Sequence, residues 1–279
     1  MGEQGEVTGG EVSDPRRRFA EECQSARELY PERKLNQDQL ARKLRTSRST
    51  ISRVETCRGP IPPDLPPLLD QVFSTDGLFK RLYEEIVAQS FPAQYRRGVA
   101  LEREAIVVRQ WSPTVVPGLL QTADYARTLL RGGAPRASEE EIKASVAARM
   151  ARQDILKGEA PPDVHLVLCE SVIRRQIGSR DIMRGQLAAL LTQGAKATVR
   201  IQVLPLDAEA HLFVDDGARF LTGPHHLTVV CVEGYRTVAI IDDPEHVREA
   251  LRAYDGLTGE ALSPRESARL IRGQMEALT

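Results

Sequence analysis

Leu35–Glu55 reads LNQDQLARKLRTSRSTISRVE, and its spacing predicts a short helix, a tight turn and a second helix within about 20 residues. Asn36 is a favourable N-cap for the first helix, which carries Leu40, Ala41 and Leu44 on one face. Ser47 caps the second, with Ile51 and Val54 turned inward. Leu40, Leu44, Ile51 and Val54 then hold the pair together, and Ala41 is small enough for a close crossing. The outer face of the second helix is left to Arg48, Ser49, Ser52 and Arg53. Such donors can touch base edges in a DNA major groove, where each base pair shows a distinct pattern. Gln37 opens the first helix, where a phosphate would meet backbone amides. On this reading Gln37, Ser47, Arg48, Ser49, Thr50, Ser52 and Arg53 face double-stranded DNA.

Charge distribution points the same way. The formal net charge of the 279 residues is −1, but residues 15–59 hold twelve arginines and lysines against six carboxylates. That surplus of six lies between a tail, residues 1–14, with four carboxylates and no base, and a mildly acidic remainder. A polyanion would be held at the basic segment. The plainer alternative is a packed helix pair with a solvated basic face, but caps, inward apolar spacing and outward donors all agree with the DNA reading.

The 41% hydrophobic and 28% charged composition fits a globular protein with one small and one larger domain. No apolar run approaches the roughly 18 residues of a membrane span, and the start lacks an apolar signal core, so a cytoplasmic protein with no membrane partner is expected. Cys23, Cys57, Cys169 and Cys231 are too scattered for a metal knuckle or a compact disulfide framework. They are expected to be reduced and structural, with redox sensing by one of them as the alternative.

Phe19, Cys23, Ala26 and Tyr30 mark a helix ahead of the pair, ended by Pro31. Leu65, Leu68, Leu69 and Val72 mark a fourth helix, and Phe79, Leu82, Tyr83, Ile86 and Val87 a fifth. From about Glu102 strands interleave with helices. Ala105–Trp111, Val164–Cys169 and Val199–Val203 read as strands, and Leu227–Glu233 with Tyr235–Ile241 as a hairpin folded at Gly234. Thr122 caps one helix, Ser138 with Glu141 opens another running to about Leu156, two helices cover Glu170–Gln193, and Pro244 and Pro264 start the last two. The fold class expected is multidomain, α plus α/β: a five-helix helix-turn-helix bundle, then a mixed-sheet domain with flanking helices. The boundaries expected are a disordered tail over 1–14, a helix-turn-helix domain over 15–75, a helical linker over 76–101 and an α/β effector or interaction domain over 102–279.

Leu35–Glu55 resembles the Cro/phage-repressor, or Xre-like, helix-turn-helix family in its Leu-Asn-Gln, Leu-Ala, turn and Ser-Arg-Ser-Thr-Ile-Ser-Arg-Val-Glu pattern. The resemblance implies a phosphate contact at Gln37, base or near-base readers at Arg48, Ser49 and Arg53, and a Glu55 that ties the motif to its own core. Arg45 and Cys57 depart from it, because the family usually has Gly at both sites, where φ tends to be positive. Further on, Arg109–Arg127, Arg149–Gln153, Cys169–Arg175, Val203–Pro205, Val232–Gly234, Asp242–Pro244 and Leu262–Pro264 resemble, in order, the C-terminal domain of a large actinobacterial regulator family. That resemblance implies an antitoxin-like domain with no assigned reaction, working beside a small partner protein.

Residue chemistry in the larger domain assigns no catalyst. His165, His211, His225, His226 and His246 fall with Asp215, Asp216, Asp242 and Asp243 into no zinc, triad or phosphate-loop spacing. Asp243-Pro244 reads as a helix cap, His225-His226 as an exposed turn, and Glu170–Arg175 as a solvated helical face or a docking surface. No cofactor or metal is expected. The function expected is a sequence-specific DNA-binding transcriptional regulator, dimeric, whose larger domain mediates dimerisation or holds a small protein partner or effector. An antitoxin-like adaptor that autoregulates its operon, and an enzyme localised by a helix-turn-helix, are the rivals.

Overall fold

The structure is a computed structural model and describes residues 14–30, 34–59, 61–89, 93–209, 211–234 and 237–278. Its fold is α plus α/β: helices, then a six-stranded mixed sheet with flanking helices, in two compact units, residues 1–87 and 88–279. The expected tail, apart from Asp14, and the stop at Pro31 lie outside the described residues. No helix among the described residues is long and apolar enough to cross a membrane.

In the first unit four helix starts have a side-chain cap. Asp14 accepts from the Arg16 amide at 3.1 Å, and Pro15 is the first residue of α1 (Pro15–Glu28). Asn36 and Gln39 form a reciprocal capping box on α2 (Gln37–Lys43), at 2.8 and 2.9 Å. The Ser47 hydroxyl accepts from the Thr50 amide at 3.1 Å to start α3 (Arg48–Glu55). Asp70 of α4 (Leu65–Phe73) accepts from the Phe79 and Lys80 amides, at 2.9 and 3.0 Å, in the first turn of α5 (Leu78–Gln89).

α2 and α3 end alike. Thr46 N–H reaches back to Ala41 O at 2.9 Å, and Arg58 N–H to Arg53 O at 2.7 Å. Both are Schellman stops, which need one left-handed residue. Arg45, at φ 51°, and Cys57, at φ 55°, supply it, at a penalty of about 1 to 2 kcal/mol each relative to the right-handed form. The positive φ read from the motif is therefore present at both sites without glycine.

Phe19, Cys23, Leu40, Ile51, Leu69 and Phe79 are fully buried in one core, each large apolar side chain contributing about 1.5 to 3 kcal/mol. Phe19 meets Phe79 edge to face at 5.3 Å. The segment expected as a linker, 76–101, is divided: α5 gives Phe79 and Leu82 to this core, while α6 (Ala93–Arg103) falls in the second unit.

The second unit is built on β1 (Val107–Ser112), β2 (Asp163–Cys169), β3 (Val199–Leu204), β4 (Gly217–Thr222), β5 (Thr228–Gly234) and β6 (Thr237–Ile241), in the order β3-β2-β1-β4-β5-β6. The first three are parallel, so helical crossovers must join them: α7 (Ala123–Gly133) and α8 (Glu139–Ala151), then α9 (Glu170–Arg174) and α10 (Arg180–Gln193). β4 to β6 continue antiparallel. Side chains alternate across the sheet. Val108, Leu166, Leu168, Ile201 and Leu221 enter one core, shared with α10 and α12 (Pro264–Glu276). Trp111, Val167, Phe220 and Val230 enter the other, with Tyr254 and Leu257 of α11 (Pro244–Glu260).

Two readings change. The helix from Glu139 turns 3-10 at Arg152–Leu156. More important, β4 has no counterpart among the strands expected from the sequence, yet Gly217–Thr222 joins the halves of the sheet. Arg219 conceals it, because a charge stands where the alternation calls for an apolar residue. That charge has a buried partner. Glu102, 1% exposed, forms ion pairs with Arg152 and with Arg219, the latter at 2.7 Å. Burial alone would raise the Glu102 pKa, but the two guanidinium groups outweigh it and hold the carboxyl below its usual range.

Candidate nucleic-acid interface

α3 presents the sequence-derived residues in two kinds of environment. Ile51 and Val54 are buried, and the residues between them and before them are not. The Arg48 side chain is 67% exposed, with only a 4.0 Å approach to the exposed Asp38. Ser49 and Arg53 are exposed, and Arg53 Nε donates to Ser49 O at 3.3 Å, which lays its side chain along the helix. Ser52 and Thr50 are half-buried. The Ser47 hydroxyl, besides capping α3, stands 2.8 Å from the hydroxyls of Ser49 and Thr50. It is thus committed to shaping the helix start.

Gln37, the first residue of α2, is half-buried. Its amide nitrogen donates to Glu55 Oε2 at 2.9 Å. Glu55 in turn accepts from Arg27, Nε to Oε1 at 2.6 Å and Nη2 to Oε2 at 3.1 Å, and Arg27 Nη1 donates to Leu35 O at 2.9 Å. Both charged side chains are below a tenth exposed. The hydrogen bond to Glu55 raises the Arg27 pKa against the opposing effect of burial. α1, α2 and α3 are therefore locked together by one buried bidentate pair, and the outer face of α3 is held by its inner end. Cys23 lies beside this pair; burial first, then Glu55, pushes its thiol up to about 12, so it stays protonated.

Sequence reasoning missed Arg27 and Arg45. Arg27 continues the 19, 23, 27 stripe of α1, and a charge on an apolar stripe signals a buried partner. Arg45 is exposed in the turn that its own left-handed backbone makes. Arg42, Lys43 and Arg58 are exposed as well.

The histidines all belong to the second unit. His165 Nε2 is 2.8 Å from Gln202 Oε1 and the ring packs on Tyr254; burial lowers its pKa. His211 packs edge-on to Trp111, with burial again lowering its pKa. His225 and His226 are exposed, and His246 meets Asp243, the cap of α11, at 3.0 Å. Among the described residues no group of three or more His, Cys, Asp or Glu could hold a metal ion.

These features define a two-unit protein, a small helical bundle with a basic exposed segment and a mixed-sheet domain. Residues 95–273 match the family described as Domain of unknown function (DUF5753), and the chain belongs to that family. No curated protein and no solved structure matches it.

Proposed function

We propose that the chain is a sequence-specific DNA-binding transcriptional regulator of the Xre-like helix-turn-helix type, with α3 as its recognition helix. The observation that carries this reading is the exposed run of Arg48, Ser49 and Arg53 on a helix whose other side is fixed by Ile51, Val54 and the Arg27–Glu55 pair. A major-groove reader needs that combination: donors outward, and a seat rigid enough to set their register. Selection of a bound sequence from a random pool, then binding titrations, tests it. Arg48→Ala is expected to weaken binding by about 1 to 3 kcal/mol and to relax preference at one base position. Loss without relaxed preference makes Arg48 a phosphate contact. Normal binding by both Arg48→Ala and Arg53→Ala removes α3 from the interface.

The second unit, on this proposal, supplies dimerisation or holds a small protein partner, since one helix-turn-helix covers too few base pairs for adequate specificity. Leu206, Leu212 and Val214, on the connection from β3 to β4, are 61, 60 and 58% exposed and support an interface there. In sedimentation velocity the chain should dimerise at micromolar concentration, and Leu212→Glu should shift it toward monomer. A chain monomeric at all concentrations, and monomeric on DNA, contradicts the homodimer and leaves the small partner.

A further inference from the structure

Within the second unit, α6, the Pro113–Gln121 connection, α7, α8 and the ends of β4 and β5 line a cavity of about 670 Å³ that is open to solvent on one side. That is the size of pockets that take small organic molecules. Part of its lining is apolar, with Val99, Leu129 and Leu130, and part is cationic, with Arg149, Arg152 and Arg219.

The three guanidinium groups are not equivalent. Arg152 and Arg219 share Glu102, and Arg219 also meets Glu233 at 3.1 Å, so two cations face two carboxylates. Arg149 forms no ion pair with any described residue. Its Nη1 donates to the neutral Gln121 Oε1 at 2.9 Å, and its Nε is buried without a hydrogen-bond partner. Burial, then repulsion from Arg152, pushes its pKa down to about 10, which leaves it charged at neutral pH. Glu233 and Glu102 attract it from a distance, but three guanidinium groups against two carboxylates leave one positive charge in surplus, an unfavourable arrangement that persists here inside an elaborate support.

That support joins two stretches far apart in the chain. Gly118 lets the arginines approach: a Cβ there would stand 3.2 Å from Arg149 Cδ and 3.5 Å from Arg152 Nη1. Gln121, which holds Arg149, donates its own amide to Val116 O at 2.7 Å. Gln153 Nε2 clamps the same loop through Gly118 O and Gln121 O, at 3.0 and 2.7 Å. Pro117–Gln121 and Arg149–Gln153 are thus one frame around a single positive charge at a cavity wall.

We propose that this cavity binds a small organic monocarboxylate, its head paired with Arg149 and its apolar body against Val99, Leu129 and Leu130. One surplus cation matches one negative charge, and a carboxylate supplies the acceptor that Arg149 lacks. The proposal does not rest on DNA binding, and its test uses none.

Full-length protein is titrated by calorimetry with medium-chain and bicyclic aromatic carboxylates, each beside its primary amide, and with inorganic phosphate. At least one carboxylate should bind, with its amide and phosphate about tenfold weaker or more. Arg149→Met should lower that affinity by about tenfold or more and raise the thermal midpoint of the ligand-free protein, since it removes a half-buried charge that has no ion-pair partner among the described residues. Arg149→Lys should retain part of the binding. Ala134→Trp, exposed where it lines the cavity, should block binding with Arg149 intact, and it decides the matter if Arg149→Met does not fold. Silence of every carboxylate, an amide or phosphate that binds as tightly, a lowered midpoint in folded Arg149→Met, or undiminished binding in either Arg149→Met or Ala134→Trp overturns the proposal.

Discussion

Glu102→Gln is expected to destabilise the second unit by about 3 to 5 kcal/mol, the usual effect of removing one partner from a buried charge cluster. Glu102 sits on α6, and its two partners lie on the turn after α8 and on β4, so one carboxylate ties the helix before the sheet to the crossover and the central strand. Glutamine keeps the shape but leaves Arg152 and Arg219 buried against a neutral group. Glu233, with a side chain 40% exposed, compensates only in part. Because the folded-state pKa of Glu102 is depressed, its contribution is fully present above the unfolded carboxyl range, near pH 4.3, and is lost as pH falls through the lower folded value. Urea denaturation of the wild type should therefore weaken below about pH 4.3, and Glu102→Gln should lack that component. A loss under about 1 kcal/mol, or an unchanged pH profile, means the cluster is solvated and holds nothing.

DNA affinity should collapse with salt. If the surplus of six positive charges over residues 15–59 neutralises six phosphates, the log–log slope is about −5, and affinity falls roughly a thousandfold between 50 and 200 mM monovalent salt. The exposed Arg42, Lys43, Arg45, Arg48, Arg53 and Arg58 are the groups positioned for this. Arg27 is not, because Glu55 already neutralises it. A fluorescence-anisotropy titration at several salt concentrations reads the slope directly. A response near zero contradicts a polyanion-binding role for the basic segment.

What could be read from sequence was what neighbours in the chain decide. Asn36, Ser47, Thr122, Ser138 and the prolines at 244 and 264 announce helix starts because a cap is satisfied within three residues. β2 and β3 were legible because Val, Ile and Leu recur there at strand spacing. Arg219 hid β4 because the carboxylate that makes its burial tolerable lies 117 residues earlier. For the same reason the hydrogen bond from Gln37 to Glu55, 18 residues on, is not legible locally. At the candidate interface, residue type and outward placement were legible, while the seat that fixes α3 was not. It depends on Arg27, a charge that only tertiary structure gives a partner.

The sheet also sets an order of events on the ribosome. β1 lies between β2 and β4, yet β2 emerges some fifty residues after it and β4 more than a hundred. The parallel half can assemble first, through its two helical crossovers, but β1 then shows an unpaired inner edge until residues 217–222 have been made. Long-range pairing of this kind is slow to form, and such an edge is a template for the wrong strand. The nascent second unit is therefore most exposed to misassembly while the segment between β3 and β4 is being synthesised, the interval in which a chaperone would have most to shield.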